Sequence, residues 1–404
     1  MNKQFEFEHG ALSDLRVLEL GTLIAGPFCG QLLGDMGAEV IKVEPPSQGD
    51  PMRSWGRHKG DEMPSLWWPV VSRNKKAITL DLRQRDGQEL LKCLVGKADF
   101  LLENFRPGTL EKWGLGYEAL SAVNPRLIMI RVSGYGQTGP YAHRAGFGAI
   151  GEAMGGLRHV VGDPSTPPSR MGISIGDALA ATFACVGALS ALHYREKTGR
   201  GQVVDSAIYE AVLSMMESLI TEYDKCGIVR ERTGAILPNV APSNVYPTMD
   251  SLVLIAANQD AVFRRLCEAI GRPGLADDPQ YSNHQARGSN QQKLDELLSS
   301  WTATKPTAEI LDLMDKHGVP AGLIYRAPDM LTDPQFIARE AIVTVLHPQL
   351  GPLKMQNVAP KLSATPGGIR TVAPSLGQHN EEVYLDLVQM TRAHFEELKS
   401  KHVI

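Results

Sequence analysis

Short apolar runs alternate with longer amphipathic runs through the first third of the chain, and this alternation constrains the fold more than any other feature. Arg16 to Leu20 predicts a strand, a Gly/Pro turn follows, and a helix from about Phe28 to Met36 leads into a second strand at Glu39 to Val43. A strand, a helix and a strand within about 30 residues form a βαβ unit, which favours a parallel sheet. The same alternation continues at 77–82 (strand), 86–94 (helix), 100–103 (strand) and 127–132 (strand). The chain is therefore predicted to be an α/β protein with a doubly wound sheet.

The remaining sequence predicts a second, smaller domain between two parts of the first. At 404 residues the chain is long enough for about two domains. Residues 178–226 are predicted to be mostly helical, and residues 230–247 form a linker or an ordered loop rich in Pro, Gly and Asn. Further predicted elements are a strand at 252–256, helices at 261–270, 290–302 and 307–317, strands at 343–347 and 353–357, and a helix at 380–399. The predicted domains are 1–225 with 331–404, a large α/β domain, and 226–330, a small α+β domain.

Composition excludes several classes of protein. The formal charge of −4 gives no reason to expect binding to nucleic acid or to a membrane surface. No apolar run reaches about 18 residues without a charge, so no transmembrane helix is expected, and the polar segment from Met1 to Asp14 does not resemble a signal peptide. The five cysteines are scattered without a CxxC pair, so we expect reduced thiols, no metal site, and a location in the cytoplasm or a reducing organelle matrix.

Asp177 is the strongest candidate for a reacting group. It follows Gly176 and opens a long run of small residues with helical character, from Ala178 to about Tyr194. An Asp before such a run is typical of an N-cap, where the helix dipole favours the ionised carboxylate. Such a carboxylate on a Gly-flanked turn can either cap its helix or act as a nucleophile in acyl transfer. The local sequence alone leaves both roles open.

Ser174 offers an alternative nucleophile. Gly172 to Gly176 matches the G-x-S-x-G pattern of a nucleophile elbow, which needs a hydrophobic strand before it. The preceding segment contains Pro164, Pro167 and Pro168, and proline removes strand hydrogen-bond donors. A serine hydrolase is therefore the weaker interpretation of this segment.

Cations and aromatic side chains collect in the loops that follow the predicted strands. Such loops, at the carboxyl ends of parallel strands, are where α/β sheets bind ligands. Together, the basic and aromatic residues could hold a phosphorylated, adenine-bearing ligand by charge and stacking. The basic residues are Arg53, Arg57, Lys59, Lys75, Arg106 and Lys112, and the aromatic residues are Trp55, Trp67, Trp68 and Phe105.

Taken together, the motifs resemble the class III CoA-transferases, the family of formyl-CoA:oxalate and carnitine CoA-transferases. The resemblance runs nearly end to end and rests on many ordered blocks rather than on one motif. These blocks are AGPF at 25–28, LGDMGAEVIKVE at 33–44, RNKK at 73–76, ENFRPG at 103–108, SGYGQTGP at 133–140, GD at 176–177, KTGRGQ at 197–202 and HGVPAG at 317–322. The SGYGQTGP block is similar to that of relatives acting on succinyl-CoA and larger dicarboxylates.

The resemblance implies a large Rossmann-like domain built from both chain ends, a smaller domain between them, and an interlocked homodimer. It also implies an enzyme with CoA and acyl-CoA as substrates, a carboxylic acid acceptor and no permanently bound cofactor. It identifies Asp177 as the nucleophile that would carry CoA as an aspartyl thioester. The implied CoA-binding residues are Leu23, Ala25, Arg53, Lys75, Asn104, Phe105, Arg106, Lys112 and Tyr135. The implied substrate pocket contains Trp55, Gly176, Asn258 and Gln259, where backbone N–H groups at Gly176 or Asn258 are expected to stabilise oxyanions.

Several positions depart from the family pattern. Ile24 replaces a glutamine of the oxalate enzyme, Pro45 replaces a CoA-binding arginine, and residues 256–260 (AANQD) replace a glycine-rich loop. These departures argue against oxalate as the acceptor. An α-methylacyl-CoA racemase is the main rival on this fold, but Phe147 occupies the place of its second base and cannot exchange a proton. A thioesterase that uses Ser174 and a non-catalytic CoA-binding protein are two further hypotheses that the sequence leaves open.

Overall fold

The computed structural model describes residues 10–56 and 65–404. These residues divide into two compact units. Unit 1 contains the described residues up to 157 together with 171–221 and 338–404, and unit 2 contains 158–170 and 222–337.

Unit 1 is built on a six-stranded parallel sheet, which confirms the predicted α/β fold with a parallel sheet. The central strands Arg16–Glu19, Phe100–Glu103 and Ile128–Ser133 are almost wholly buried, as parallel strands covered by helices are, whereas the edge strand Val203–Ala207 is partly exposed. Their order is β3-β2-β1-β4-β5-β6, so the chain reverses direction across the sheet between β1 and β4. The strands are β1 (Arg16–Glu19), β2 (Glu39–Glu44), β3 (Lys75–Thr79), β4 (Phe100–Glu103), β5 (Ile128–Ser133) and β6 (Val203–Ala207).

Helices connect and cover these strands. In unit 1 they are α1 (Ala25–Asp35), α2 (Trp68–Val71), α3 (Arg85–Val95), α4 (Thr109–Lys112), α5 (Tyr117–Val123), α6 (Gly148–Met154), α8 (Ile175–Thr198), α9 (Ile208–Leu213) and α17 (Arg392–Ser400). Three helices cross unit boundaries: α7 (Leu157–Val160), α10 (Leu219–Cys226) and α16 (Pro334–Ala338). A hairpin of β10 (Ile342–His347) and β11 (Gly351–Gln356) completes the unit. The crevice beside the carboxyl ends of β1 and β4 is where such a sheet binds ligands.

The sequence prediction was wrong at two places in unit 1. The segment predicted as helical after 201 contains β6, which is specified by pairing with β5 rather than by its own pattern. The predicted helix at 380–399 is instead a π-helical turn at Glu382–Leu387 followed by α17, because Gln389 adopts a left-handed φ of 62° that interrupts the helix.

Unit 2 has its own antiparallel sheet and core. Its strands are β7 (Ser243–Pro247), β8 (Leu252–Ala256) and β9 (Ala321–Leu323), in the order β7-β8-β9. The segment predicted as a loop therefore ends in β7. The remaining helices are α11 (Asp260–Ala269), α12 (His284–Ser289), α13 (Gln291–Thr302), α14 (Thr307–Lys316) and α15 (Ala327–Thr332). Tyr246, Phe263 and Leu294 lie in the core of this unit.

Helix α8 is unusually apolar. Within the described residues it is long and apolar enough to cross a membrane by length and composition, with a mean hydropathy of 1.7 in its most apolar window. Length and composition alone do not distinguish a membrane span from a helix of a globular protein.

Candidate active site

Asp177 lies in the first turn of α8 rather than at its cap. The helix begins at Ile175, and Ser174 is the N-cap residue, so the predicted N-cap role of Asp177 is wrong. The reason is that Ile175 and Gly176 already adopt helical backbone geometry. The carboxylate still lies at the positive end of a 24-residue helix, where the dipole favours its ionised form.

The Asp177 carboxylate rests against a backbone that only glycine permits. A Cβ atom added at Gly148, the first residue of α6, would lie 2.3 Å from Asp177 Oδ2 and 2.7 Å from its Cγ. Gly176 is similarly confined, because its added Cβ would lie 2.9 Å from Cγ of the buried Glu152. The Gly176 N–H donates to Glu152 Oε1 at 3.4 Å, so the predicted oxyanion role of that N–H is not supported. The missing side chain at Gly148 therefore leaves room for the Asp177 carboxylate, and that at Gly176 leaves room for Glu152.

Ser174 lacks the setting of a nucleophile elbow. Residues 161–174 contain turns and bends but neither a strand nor a helix. Without a strand leading into a sharp turn, the strained geometry that exposes an elbow serine is missing. Phe147, at the place of the racemase base, is half exposed and carries no titratable group.

The turn between β1 and α1 contains the predicted CoA-binding residues Leu23 and Ala25. Leu23 has a left-handed φ of 65°, and its N–H donates to Asp50 Oδ1 at 3.2 Å. Asn104, directly after β4, accepts a hydrogen bond from the Thr22 N–H and donates one to the Thr22 carbonyl, both at 2.9 Å. The structure thus brings together two loops that are far apart in sequence, at the carboxyl ends of β1 and β4.

A cavity of about 220 Å³ opens at the same edge of the sheet. Phe105 and Trp113 form one wall, with ring centroids 5.7 Å apart in an edge-to-face arrangement. The other lining residues come from the ends of β1, β2 and β3 and include Thr22, Pro45, Gln48, Leu80 and Arg83. Arg106, on the neighbouring loop, and Lys112, at the end of α4, are exposed. An aromatic wall beside exposed cations suits a nucleotide-bearing ligand.

The structure contradicts the predicted phosphate contact of Lys75. Its side chain is fully buried, and Nζ lies 2.8 Å from Glu19 Oε2 and donates to the Pro27 carbonyl at 2.7 Å. Burial is the main reason that the Lys75 pKa is lowered. An ammonium group buried inside the protein and paired in this way is not accessible to a ligand phosphate. Lys75 of the RNKK motif therefore stabilises the interior of the protein through Glu19 and the Pro27 carbonyl.

Arg53 is also paired within the protein. It makes a two-pronged ion pair with Glu44, with Nη2 2.7 Å from Oε1 and Nε 2.8 Å from Oε2, and its guanidinium stacks 3.8 Å from the Trp68 ring centroid. The side chain keeps partial exposure, so a ligand contact remains a prediction. Trp55 is exposed nearby in sequence, whereas Arg57 and Lys59 lie outside the described residues.

Tyr135 lies in the loop after β5. Its ring meets that of Tyr141 edge to face, with centroids 6.0 Å apart. The Gln137 N–H donates to Asp205 Oδ2 at 2.8 Å, which ties this loop to β6. Burial raises the pKa of Asp205, opposed by that hydrogen bond.

The two pocket residues of unit 2 lie between β8 and α11. The Asn258 carbonyl accepts a hydrogen bond from Arg287 Nη2 at 2.8 Å and lies 3.2 Å from His284 Nδ1. Gln259 is the N-cap residue of α11 and is exposed. Arg287 is completely buried and fixes the backbone of this loop in the absence of glycine.

Sequence reasoning missed the residues that hold these loops. Glu103 accepts a hydrogen bond from the Phe105 N–H at 2.7 Å, and Arg131 bridges Glu103 to Glu111. Burial raises the Glu103 pKa against the opposing effect of Arg131. Glu103 lies within the ENFRPG block, but one sequence gives no signal that its carboxylate turns back to the loop. In the described ranges, no group of three or more His, Cys, Asp or Glu residues could hold a metal ion.

Comparison with known proteins agrees with this architecture. Residues 12–380 match the family model described as CoA-transferase family III. The succinyl-CoA–D-citramalate CoA-transferase of Chloroflexus aurantiacus is 61% identical over 394 residues, covering 97% of this chain and 98% of that protein. The succinate–glutarate CoA-transferase of Agrobacterium fabrum is 34% identical over 393 residues, covering 94% and 96%. The crystal structure of a CAIB/BAIF family protein from Brucella suis superposes with a TM-score of 0.82 at 34% identity, covering 94% of this chain and 100% of that one. The family resemblance is thereby confirmed, and the chain belongs to CoA-transferase family III.

Proposed function

We propose that this enzyme moves CoA from succinyl-CoA to a dicarboxylic acid of the D-citramalate type. The observation that carries this proposal is the 61% identity, over almost the full length of both chains, to a transferase named for that pair of substrates. Relatives named for L-malate, glutarate and mesaconate also use a dicarboxylate acceptor. The departures at Ile24 and Pro45 fit an acceptor other than oxalate.

Asp177 is the proposed nucleophile. Its carboxylate attacks the succinyl-CoA carbonyl and displaces CoA thiolate, which leaves a mixed succinyl–aspartyl anhydride. The thiolate attacks the aspartyl carbonyl, releasing succinate and forming an aspartyl-CoA thioester. The acceptor carboxylate then displaces CoA to form a second anhydride, and the thiolate attacks the acceptor acyl carbon to release the new acyl-CoA and Asp177. Each covalent intermediate is an anhydride or a thioester, so an activated acyl bond is kept at every stage, and covalent catalysis divides one difficult exchange into easier steps.

The proposed CoA site is the crevice of unit 1 at the carboxyl ends of β1 and β4. The turn with Leu23 and Ala25 and the loop with Asn104 and Phe105 meet there, beside the cavity walled by Phe105 and Trp113. Arg106, Lys112 and Tyr135 are proposed to complete it. CoA enters as part of the acyl-CoA substrate and leaves with the product.

We further propose a homodimer of interlocked subunits. The support in this chain is α8, where Phe183, Val186 and Leu189 are 40–58% exposed although the helix is strongly apolar. An exposed apolar face of this kind marks an interaction surface. A second copy of the chain is the proposed occupant, since it buries α8 without a membrane. The proposed domains are 1–225 with 331–404 and 226–330, whereas compact unit 2 of the structure also contains 158–170, 222–225 and 331–337. The proposed location is a reducing compartment such as the cytoplasm.

An acceptor screen tests the proposed reaction. Purified enzyme receives succinyl-CoA and a panel of mono- and dicarboxylates, with products resolved by mass, beside Asp177→Ala and Ser174→Ala. We expect citramalyl-CoA formation that disappears in Asp177→Ala and survives in Ser174→Ala. Hydroxylamine should trap Asp177 as its hydroxamate in acyl-CoA-treated enzyme.

Different outcomes would change the proposal. CoA release without an acceptor, lost only in Ser174→Ala, would indicate a thioesterase. Exchange of α-protons of a branched acyl-CoA with deuterated water, without an acceptor, would indicate a racemase. Transfer that survives in Asp177→Ala would exclude Asp177 as the nucleophile.

A further inference from the structure

A buried lysine lies beneath the turn between β1 and α1. Lys42, in the middle of β2, has a side chain only 1% exposed. Its Nζ lies 3.0 Å from Glu19 Oε1, 2.8 Å from Asp50 Oδ2 and 2.8 Å from the Gly21 carbonyl oxygen. The contacts to Glu19 and to the Gly21 carbonyl are hydrogen bonds, and the contact to Asp50 is an ion pair. Burial acts to lower the Lys42 pKa, but the neighbouring carboxylates outweigh it and raise the pKa, so the side chain stays charged.

Asp50 extends this contact to the other side of the turn. One carboxylate oxygen pairs with Lys42, and the other accepts hydrogen bonds from the Leu23 N–H at 3.2 Å and the Met52 N–H at 2.9 Å. The Asp50 N–H in turn donates to Glu44 Oε2 at 2.8 Å. The Lys42–Asp50 pair therefore holds the carbonyl at residue 21 and the N–H at residue 23 at once.

The turn needs such support because its backbone is unfavourable for its sequence. Leu23 has a φ of 65°, a left-handed conformation that is unfavourable for a residue other than glycine. Asn104 holds the N–H and carbonyl of the intervening Thr22. Four polar backbone groups in three consecutive residues are thus held by side chains from distant parts of the chain.

Stability alone is a poor reason for this arrangement. Replacing a buried ion pair by well-packed apolar residues is often neutral or stabilising, because the desolvation cost offsets the attraction. What the pair supplies is geometry, since a charged lysine and aspartate dictate where the backbone groups of the turn must lie.

We propose that Lys42 and Asp50 are positioning residues that hold the β1–α1 turn in the conformation required for CoA binding. This inference rests on the proposed CoA site. Neither side chain needs to touch CoA, because both are buried and act through the backbone of Gly21 and Leu23.

The main test is the CoA affinity of Lys42→Met, measured by titration calorimetry on folded protein. If only about a tenth of the variant molecules hold the β1–α1 turn in the conformation that binds CoA, the Kd for CoA rises about tenfold. We expect kcat at saturating succinyl-CoA to change much less than KM, because the bound CoA stabilises the binding conformation of the turn. Asp50→Asn keeps the shape of the side chain but removes its charge, so it should also weaken CoA binding. It provides the test if Lys42→Met does not fold.

Arg195→Met is the matched control. Arg195 is equally buried and pairs with Asp99 at 2.9 Å, but Asp99 precedes β4 and so lies at the amino edge of the same sheet. This variant should lower the melting temperature and leave the Kd for CoA unchanged. Equal weakening of CoA binding in Arg195→Met and Lys42→Met would overturn the inference, because the loss would then follow general destabilisation.

Two further variants separate the inference from the proposed site. If Phe105→Ala leaves CoA affinity unchanged, the proposed CoA site is wrong. If Phe105→Ala weakens binding while folded Lys42→Met and Asp50→Asn bind CoA normally, only the positioning inference is wrong. The loss caused by Lys42→Met should also shrink in a Leu23→Gly background, because glycine adopts positive φ without the same cost. An equal loss in both backgrounds would contradict action through the turn.

Discussion

Substituting Gly148 by alanine should displace the Asp177 carboxylate while leaving the fold intact. The added Cβ would lie 2.3 Å from Asp177 Oδ2, whereas ordinary van der Waals contact begins at 3.4 Å. To restore a contact of 3.4 Å from 2.3 Å, the carboxylate must move by about 1 Å. A displacement of about that size is enough to slow a reaction that depends on the position of the reacting group.

The expected effect is large on catalysis and small on stability. A displacement of about 1 Å can lower kcat by about 10²-fold, or about 2.7 kcal/mol in activation free energy. The fold should tolerate the change because the obstructing atoms are the end of one side chain. Alanine is also favoured over glycine by up to about 1 kcal/mol within a helix, and Gly148 begins α6.

The assay measures kcat for CoA transfer, the yield of hydroxylamine-trapped Asp177 and the melting temperature. Gly172→Ala is the control, since an added Cβ at Gly172 meets nothing within 4 Å. Wild-type kcat in Gly148→Ala would refute the reasoning, because the nucleophile would then not depend on the position that the structure gives Asp177. A kcat loss accompanied by a matching loss of folded protein would also refute it.

Three other perturbations have expected outcomes. The His379 Nδ1 accepts a hydrogen bond from the Ala77 N–H, and burial lowers the pKa of this side chain. The neutral His379 therefore stabilises the folded protein at pH values above its ordinary pKa of 6.5, and this stabilisation is lost as the pH falls through the lowered pKa. His379→Gln should therefore flatten the decline in melting temperature below about pH 6.5, and an unchanged slope would contradict this sign. Arg287→Met should lower the free energy of unfolding in urea by about 3 kcal/mol, because it removes the hydrogen bonds to the Ala241, Tyr281 and Asn258 carbonyls. The exposed Arg264→Met should cost much less, and similar costs would show that burial of Arg287 is unimportant. Val186→Glu should shift the mass measured by light scattering from dimer to monomer, and an unchanged dimer would place α8 outside the interface.

Much of the sheet could be predicted because its signals are local. Buried parallel strands read as apolar runs, and the helices between them repeat at helical spacing, so β1, β2, β4 and β5 were predicted within one or two residues. The strand β6 was missed, since Val203 to Ala207 becomes a strand only by pairing with β5. The ordered motif blocks likewise identified the family, because each block is a contiguous stretch of sequence.

The sequence by itself determined the α/β class, the family and the candidate nucleophile, all of which depend on residues that are neighbours along the chain. Only the tertiary structure decided what surrounds those residues. It buried Lys75 against Glu19, placed Gly148 against Asp177, and held Leu23 through Asp50. These contacts join residues from separate strands and helices, and they depend on distances and directions that a local pattern does not encode. The physical reason is that side-chain chemistry is set by three-dimensional neighbours, whereas a sequence pattern reports only the periodicity of burial.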